Sequence, residues 1–297
     1  MELRVLRYFL AVTREQTISG AAQYLHVSQP SLSRQLMDLE KELGQQLFVR
    51  GNRRITLTEA GELLRRRADE LVLLADKTEA ELRSMQEVVS GDVYIGGGET
   101  EAMRLIARAA RDLQAAHPHI CYHLYSGNAD DVTERLDKGL LDFGLLIEPF
   151  DKQKYDFIRL PVSDRWGVLM RRDSPLAERQ TICPADLRDL PLIISRQSMV
   201  LHALSDWFDR PIEELHVAAT YNLLFNASLM VEEGVGYALC LDHLVHTGPD
   251  SALCFRPLSP TQQAGIGIVW KKYQVFSKAA AKFLEHVQSL HAVHDGG

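Results

Sequence analysis

The sequence contains little cysteine and lacks long apolar runs. Four cysteines occur in 297 residues, and their irregular spacing favours reduced buried thiols over a disulfide framework: Cys121, Cys183, Cys240 and Cys254. No apolar stretch approaches the roughly 18 residues that a membrane span requires, and no cationic segment leads into an apolar core at the start. We therefore expect a cytoplasmic protein without a membrane partner.

The negative charge of the chain is unevenly distributed. The formal net charge is −7, yet up to Leu57 the basic residues number eight and the acidic residues five. Between Thr58 and Ser90 the acidic residues exceed the basic ones by three, and the remainder carries the whole net charge. A small basic head on an acidic body favours specific docking to nucleic acid over general adhesion. The length and the hydrophobic content of 46% suggest about two domains.

Residues 19–34 have the pattern of two short helices joined by a tight turn. Ala21 and Ala22 form a small apolar face that lets another helix approach closely. Ser28 is placed as the N-cap of the second helix, and Pro30 lies just inside it, where its missing N–H costs little. Leucines at spacings of four, three and four predict the buried stripe of this helix: Leu32, Leu36, Leu39 and Leu43.

The opposite face of the second helix carries hydrogen-bonding side chains. These residues lie around Pro30: Gln29, Ser31, Ser33 and Arg34. When a helix lies in a major groove, side chains of these types contact base edges and phosphates. Thr17 and Ser19, near the start of the first helix, are expected to donate to phosphate. The pattern predicts a DNA-binding helix-turn-helix. An ordinary helical hairpin with a polar outer face would show the same pattern and is the alternative.

Residues 48–58 predict a β-hairpin around a Gly-Asn turn. Three arginines within five residues predict a cationic wing beside the second helix: Arg50, Arg53 and Arg54. Phosphate contacts from the wing would supply salt-dependent affinity, while the helix would distinguish base sequences. Packing alone does not explain a polar helix face beside a basic wing, so the pair favours DNA binding over a plain hairpin.

A heptad repeat follows the wing. Its small and apolar positions alternate at spacings of four and three: Leu57, Gly61, Leu64, Ala68, Leu71, Ala75, Thr78, Leu82, Met85 and Val89. At ~1.5 Å per residue, the predicted helix spans roughly 45–50 Å and ends at Gly91 and Asp92. We expect it to pair with a second copy through the members from Leu64 to Met85. The alternative is one buried helix that packs on the effector domain of its own chain.

The chain after Asp92 alternates between strand and helix patterns, which predicts a mostly parallel sheet with helices on both faces and two lobes around a cleft. The predicted strands cover residues 93–95, 120–124, 143–147, 166–170, 192–194, 216–220, 237–240 and 265–270. The predicted helices cover residues 102–115, 129–139, 200–208, 222–233 and 276–293, and residues 96–98 are predicted as a turn.

Ligands of open α/β sheets bind at the carboxyl ends of strands. This rule selects small polar residues and one arginine as candidate ligand contacts: Thr100, Ser126, Gly127, Asn128, Ser195, Arg196, Gln197 and Ser198. Each has an ordinary alternative role as a helix cap or turn residue. Glu99 and Glu101 would oppose an anionic ligand in this cleft, whereas Arg196 would favour one, so the ligand's charge stays open.

The other groups of candidate functional residues give weaker evidence for a site. The glycines at 96–98 lack a third glycine at Glu101 and a following Lys-Ser/Thr pair, which argues against a nucleotide loop and a cofactor. The positions Cys240, His243, His246 and Cys254 lack a convincing metal-binding knuckle, and we assign no metal. His119, Cys121 and His123 share one face of a predicted strand, and we favour a packed or dimer-facing strand over a metal site there. No nucleophile–base–acid set stands out, so we expect no enzyme and no catalytic residues.

The first sixty residues resemble the LysR-type transcriptional regulators. The resemblance is carried by Ala21-Ala22, the run Ser28–Arg34, Leu39-Glu40, Leu43-Gly44, Leu47-Phe48, Arg50 and the run Leu57–Gly61. The remainder resembles the family in length and layout. The resemblance implies a winged helix-turn-helix, a dimerising linker helix and an effector-binding domain, in a homodimer or homotetramer that switches transcription when a small molecule binds. It also implies RNA polymerase as a partner.

We therefore expect an α/β protein with an all-α winged helix-turn-helix over 1–58, a linker helix over 59–90 and a two-lobed effector domain, similar to periplasmic binding proteins, over 91–297. Lobe I is expected over about 91–161 plus 266–297, and lobe II over about 162–265. The alternative function is a solute-binding protein or an enzyme whose N-terminal region only assembles the oligomer. The basic wing favours the regulator. A thiol or metal sensor on the same scaffold is a third hypothesis, which rests on scattered Cys and His residues.

Overall fold

The computed structural model describes residues 1–50, 55–83, 89–197 and 205–294. The chain divides into two compact units, Met1–Arg83 and Ser84–Gly297, each with its own hydrophobic core. Four residues that the sequence assigned to functional sites lie outside the described residues, together with the predicted Gly-Asn turn: Arg53, Arg54, Met85 and Ser198.

Three helices build the core of the N-terminal unit: α1 (Leu3–Glu15), α2 (Ile18–Tyr24) and α3 (Gln29–Leu43). The predicted leucine stripe of α3 is buried at three of its four positions, where it packs with Phe9 and the small Ala21. Leu43 differs, because it is the last residue of α3 and remains 38% exposed. Gly44 then ends the helix with a φ of 65°, in the left-handed region that favours glycine.

The predicted hairpin is present in its two strands. Strand β1 (Phe48–Arg50) pairs antiparallel with β2 (Ile55–Leu57). Helix α4 (Glu59–Arg83) begins directly afterwards, and Thr58 caps it, because its Oγ1 accepts from the Gly61 N–H at 3.0 Å. A Cβ at Gly61 would lie 2.1 Å from the Leu47 carbonyl oxygen, so only glycine allows α4 to start this close to the hairpin.

The described part of α4 ends at Arg83, and residues 89 and 90 are not helical. The linker helix is therefore shorter than the predicted span to residue 90. Within the described parts of the chain, none of the helices is both long enough and apolar enough to cross a membrane.

The C-terminal unit contains strands and helices in alternation. Its strands are β3 (Gly91–Gly97), β4 (Ile120–Ser126), β5 (Phe143–Ile147), β6 (Tyr155–Arg171), β7 (Leu192–Ser195), β8 (Val217–Tyr221), β9 (Tyr237–Leu241), β10 (Leu253–Pro257) and β11 (Gln263–Lys271). Its helices are α5 (Met103–Ala116), α6 (Ala129–Asp137), α7 (Leu224–Glu232) and α8 (Lys278–His294). Residues 205–208 are also helical.

The strands are ordered β4-β3-β5-β11-β6-β9-β7-β8, and β10 pairs with β6. The long strand β6 belongs to both lobes, because residues 155–165 pair with β11 and residues 166–171 pair with β9 and β10. This topology confirms the two-lobed α/β architecture. The sheet is mixed rather than mostly parallel, since β6, β10 and β11 make antiparallel pairs.

The core of lobe I explains why the predicted turn at 96–98 is mostly strand. Gly96 and Gly97 are buried members of β3, and a Cβ at Gly96 would lie 2.4 Å from Leu141 Cδ1. The two glycines therefore let neighbouring side chains pack directly on the strand. Val93 and Ile95 on β3 meet Phe283 of α8 in the main core of the unit.

Candidate nucleic-acid interface and effector cleft

Helix α3 presents the predicted base-contacting residues on its exposed side. Ser28 caps the helix, with its Oγ accepting from the Ser31 N–H at 3.4 Å, and Pro30 occupies the first turn. The side chains of Gln29, Ser31 and Arg34 are exposed, and Ser33 is half-buried. Because Leu32, Leu36 and Leu39 fix the opposite side in the core, the polar face cannot turn inward. The structure therefore leaves this face free for a partner.

The start of α2 lies next to the wing strand β2. The Ile55 N–H donates to the Gln16 carbonyl oxygen at 2.9 Å, and Thr17 follows as the cap of α2, with its Oγ1 accepting from the Gly20 N–H at 3.1 Å. Ser19 is exposed. Thr17 therefore uses an acceptor site in capping and keeps its hydroxyl proton for donation, as the phosphate hypothesis requires.

Glu40 is a positioning residue that the sequence reasoning missed. Its carboxylate accepts from the backbone N–H groups of Leu47 at 2.7 Å and Phe48 at 3.2 Å. These bonds hold the start of β1 against α3. The wing strands therefore have a defined position beside the exposed polar face of α3. The sequence could have pointed to Glu40, because this glutamate directly follows Leu39 of the leucine stripe in α3. The backbone of Arg50 pairs with Ile55 in the wing, while its side chain lies outside the described residues, as do Arg53 and Arg54.

Helix α4 uses part of the predicted heptad repeat within its own unit. Ala68 is fully buried in the core of the N-terminal unit, and Leu64 packs against that core. Ala68 therefore needs correction to an intramolecular role, because it has no exposed surface for a partner. Leu64 is only partly buried, so its dimerisation role stays a prediction. Further along, Leu71 is 42% and Leu82 64% exposed, Thr78 is exposed and Ala75 is half-buried. Leu63 and Leu74, which the sequence reasoning omitted, are also exposed.

In the C-terminal unit, Thr100 links the end of β3 to β6. Its hydroxyl donates to Asp164 Oδ2 at 2.5 Å and accepts from the Ala102 N–H at 3.1 Å. Burial raises the pKa of Asp164, although the hydrogen bonds from Thr100 and the Glu101 backbone act in the opposite direction. The threonine therefore has a structural role in the cleft, and Asp164 beside it was missed because a lone aspartate in a strand gives no signal.

Glu99 connects the two lobes. Its carboxylate accepts a hydrogen bond from the backbone N–H of Leu224, the first residue of α7, so a side chain at the end of β3 in lobe I caps a helix of lobe II. The N-cap position of α7 is Leu223, which has no side-chain capping bond. The lack of a capping residue at this position was the one sign in the sequence that a distant side chain caps α7. A carboxylate at a helix N-terminus is favourable because it faces free N–H groups and the positive end of the dipole.

Glu101 does not stand as a free carboxylate in the cleft either. It forms an ion pair with Arg104 at 2.5 Å, and the hydrogen bond from Arg104 lowers the pKa of Glu101. Both glutamates that flank Thr100 therefore have partners. Their opposition to an anionic ligand is weaker than the sequence suggested.

The predicted residues after β4 act partly as caps. Asn128 and Asp131 form a capping box at the start of α6, where Asn128 Oδ1 accepts from the Asp131 N–H at 2.9 Å. Gly127 donates from its N–H to the Gly97 carbonyl oxygen at 3.1 Å, and Ser126 pairs with Gly97 in register. These contacts match the alternative role that the sequence analysis allowed, while still placing the loop at the carboxyl edge of the sheet.

Gln197 and Thr100 line one small cavity of about 30 Å³ together with Glu99. The other members are Gly98, Ala129, Leu145, Leu146, Ile147 and Ile266. Ser195 is buried at the end of β7, and its Oγ accepts from the Gln197 N–H at 3.3 Å. The Arg196 N–H donates to the Tyr221 carbonyl oxygen at 2.9 Å. The structure thus brings residues from both lobes to the predicted cleft.

The four metal-type positions between 240 and 254 do not come together. Cys240 and Cys254 are buried, and burial raises the pKa of both thiols. His243 and His246 are exposed, and His246 Nε2 lies 2.9 Å from Asp250 Oδ1. Among the described residues, these four form no group of three ligand atoms that could hold a metal ion. The buried thiols are also poor candidates for a reactive sensor.

An exposed polar helix beside a wing, a long helix and a two-lobed α/β unit together define the class of DNA-binding transcriptional regulators with an effector-binding domain. Comparison with known families agrees with this class. Residues 3–62 match the bacterial regulatory helix-turn-helix proteins of the LysR family, and residues 86–292 match the LysR substrate binding domain. The chain belongs to the LysR family of transcriptional regulators.

Similar proteins align with most or nearly all of the chain. The Hca operon transcriptional activator HcaR of Escherichia coli (strain K12) is 28% identical over 294 residues, covering 97% of each chain. The transcriptional activator IlvY of Salmonella typhimurium (strain LT2) is 29% identical over 254 residues, covering 84% of this chain and 85% of that protein. The solved structure of CbnR, a LysR family regulator, aligns with a TM-score of 0.75 at 21% identity, covering 98% of this chain and 99% of CbnR. A second CbnR structure, with its target DNA, aligns with a TM-score of 0.73.

Proposed function

We propose that this chain regulates transcription as a homo-oligomer that sets two copies of α3 into successive major grooves of an inverted-repeat DNA site. A small molecule bound between the lobes of the C-terminal unit would change how that oligomer binds the DNA. The observation that carries the proposal is the exposed hydrogen-bonding face of α3, fixed by a buried leucine stripe on its other side. The relatives are transcriptional regulators, so we assign the α/β unit a binding role rather than a catalytic one.

The DNA contacts divide into base-reading and phosphate-holding residues. We propose base or nearby phosphate contacts from the face of α3: Gln29, Ser31, Ser33 and Arg34, with Pro30 in its first turn. Thr17 and Ser19 would donate to phosphate from the start of α2. The wing would hold the backbone or the minor groove through Arg50, Arg53 and Arg54. The bond between Ile55 and Gln16 supports this division, because it places the wing strand beside the cap of α2.

The oligomer would form through the exposed apolar side of α4. This surface comprises Leu71, Thr78 and Leu82 from the predicted repeat, with Ala75 at its margin and Leu63 and Leu74 added. Met85, also predicted to take part, lies outside the described residues. Large leucines on one long helix favour pairing with a second copy, because burying each would remove apolar surface from water. CbnR, a LysR family regulator of similar fold, has been solved in complex with its target DNA.

The effector would bind where the ends of β3, β4 and β7 meet. Thr100 and Gln197 line the same cavity with Glu99, and the neighbouring contacts would come from Ser126, Gly127, Asn128, Ser195, Arg196 and Ser198. The bond from Leu224 to Glu99 crosses between the lobes, so a ligand that competes for Glu99 would alter lobe closure. The altered oligomer would then change the spacing or bend of the DNA and its presentation to RNA polymerase.

The first test is selection of genomic fragments by the purified full-length protein, followed by binding of the enriched site across a salt series. We expect enrichment of a two-fold-related sequence whose affinity falls steeply as salt rises. A scrambled duplex of the same length is the control for sequence-independent binding. Weak binding at low salt without enrichment of any sequence would contradict the proposal and direct attention to an activity of the α/β unit.

A further inference from the structure

Two neighbouring strands of lobe I bring three metal-ligating side chains together on one face. Asp92 on β3 pairs in register with Cys121 on β4, and His123 follows two residues later on the same side of β4. One ligand atom from each residue lies within 4.8 Å of the other two, and within the described ranges no other group of three His, Cys, Asp or Glu residues meets this condition. The three donors are a carboxylate oxygen, a thiol sulfur and an imidazole nitrogen.

We propose that Asp92, Cys121 and His123 bind one divalent transition metal ion of the zinc type. Zn²⁺ takes thiolate, imidazole and carboxylate ligands, whereas Mg²⁺ and Ca²⁺ select oxygen donors. The mixed sulfur, nitrogen and oxygen set is therefore selective for this class of ion. The three protein ligands leave a fourth position for water or another donor, as in open zinc sites.

The distance between two of the donors already suits a shared ion. His123 Nε2 lies 2.9 Å from Asp92 Oδ1. Two ligands about 2.0–2.1 Å from a zinc ion, at an angle of about 90–110°, lie about 2.9–3.4 Å apart. Without metal this pair forms a hydrogen bond, and a metal ion would replace the shared proton. Cys121 is exposed, so its Sγ has room to rotate toward the pair.

The surrounding residues hold the ligands in place. The ring of Tyr94 stacks on the His123 ring at 4.6 Å between centroids and 16° between planes, which fixes the imidazole orientation. Val93, between Asp92 and Tyr94, is fully buried, so the strand cannot rotate. Such outer partners orient metal ligands and raise affinity. The protein therefore supplies a largely prearranged site rather than three mobile surface groups.

The proposed site is separate from the effector cleft. Asp92 and Cys121 are the second residues of β3 and β4, whereas Thr100 follows the end of β3 and Ser126 ends β4. Since these strands are parallel, the metal ligands lie at one edge of the sheet and the cleft residues at the other. On binding, the Cys121 thiol would lose its proton to solvent and bind as thiolate, while His123 binds as neutral imidazole.

Titration of the full-length protein, without an added histidine tag, with Co²⁺ tests the proposal directly. We expect one tightly bound Co²⁺ per chain with a thiolate-to-metal absorption band in the near ultraviolet, and stoichiometric displacement of that band by Zn²⁺. Cys121→Ser should abolish the band. Asp92→Asn and His123→Gln should each weaken Zn²⁺ binding by more than the roughly 10–100-fold that loss of an outer partner costs.

Cys183→Ser is the matched control. Cys183 is a partly exposed thiol that lies 3.1 Å from a carboxylate oxygen of Asp186, so it has the same neighbour type without a histidine. This variant should keep the band and the affinity, and circular dichroism should show that every variant is folded. An absent band in the wild type, an unchanged band in Cys121→Ser or a lost band in Cys183→Ser would each overturn the proposal. Specific DNA binding is measured separately, so failure of the metal site leaves the proposed function unaffected.

Discussion

At the scale of single residues, Arg34 is a long, exposed cationic side chain in the first half of α3. We expect Arg34→Ala to weaken binding to the selected operator by about 1–3 kcal/mol relative to a scrambled duplex, because a base contact is lost. Fluorescence anisotropy at one fixed salt concentration measures both affinities. Lys41→Ala, near the end of the same helix, is the control for loss of one positive charge. An equal loss on both duplexes would assign Arg34 to phosphate instead.

Glu99 is the residue through which lobe I caps α7 of lobe II. Glu99→Gln keeps an acceptor oxygen but removes the negative charge that is favourable at a helix N-terminus. We therefore expect the backbone amides in the first turn of α7 to lose about 0.3–1 kcal/mol of protection against hydrogen exchange. Hydrogen exchange of the amides from Leu224 to Ala227 measures this change. Glu101→Gln is the control, since Glu101 pairs with Arg104 within lobe I. Equal exchange in both variants would argue against a bridge between the lobes.

Asp164 predicts a pH dependence of a definite sign. Burial raises its pKa above the usual 3.8, so the folded state binds this proton more tightly than the unfolded state. The contribution of Asp164 to stability is therefore present at low pH and falls as the pH rises through the raised pKa. Asp164→Asn has no such titration. We expect the stability of this variant relative to the wild type to increase over the same rise in pH.

Asp186 provides the opposite control for this measurement. The hydrogen bond from the Cys183 N–H lowers the pKa of Asp186, so its stabilising contribution is present above 3.8 and falls with decreasing pH. Thermal melts of Asp164→Asn and Asp186→Asn over an acidic pH series should thus diverge from the wild type in opposite directions. Parallel behaviour of the two variants would contradict the assignment for Asp164.

At the scale of elements, the exposed leucines of α4 carry a prediction about assembly. Leu82 is 64% exposed, and burial of this exposed part in a paired helix would contribute about 1–2 kcal/mol per chain. Two chains lose this contribution in Leu82→Ser, so the dimer Kd should rise at least about thirtyfold. Sedimentation equilibrium without DNA measures it. Arg66→Ser, elsewhere on α4, should leave the Kd unchanged, and an unchanged Kd for Leu82→Ser would place the interface elsewhere.

The same helix shows where sequence periodicity stops being informative. The heptad repeat indicated a long amphipathic helix, which the structure has, but periodicity does not say which neighbour an apolar stripe meets. Leu64 and Ala68 meet α1 of their own unit, so the repeat changes its use along its length. Only tertiary packing distinguishes these two uses, because both place the same residue types at the same spacing.

The sequence prediction covered only residues 166–170 of β6. Pro161 lies in the earlier half of this strand, and proline is unfavourable inside a ladder. The structure accommodates Pro161 at an irregularity, where the register with β11 changes from Ser163↔Gly265 to Arg159↔Gly267. Strand β10 was missed since it has five residues and ends in Pro257. The cleft residues were located from strand ends, whereas the Glu99 contact depends on a helix 125 positions away in sequence.

At the scale of the whole molecule, the two units have separate cores, and none of the described residues belongs to both. We therefore expect two unfolding transitions in calorimetry of the full-length protein. The selected operator duplex at about 100 times its Kd should stabilise the N-terminal transition by about 2.7 kcal/mol and leave the other in place. A scrambled duplex should shift neither. One transition that moves as a whole would mean that the units unfold together.

Strand β6 has a final consequence for how the chain is made. Lobe II lies between β6 and β11, which leave and re-enter lobe I as antiparallel neighbours, so it is a continuous insertion. Lobe I, by contrast, needs β3 to β5 from early in the sequence together with β11 and α8 from its end. As the ribosome releases the chain from its N-terminus, lobe II is complete while the sheet of lobe I still lacks β11, the strand that joins β5 to β6. The inserted lobe therefore finishes folding before the lobe that contains it.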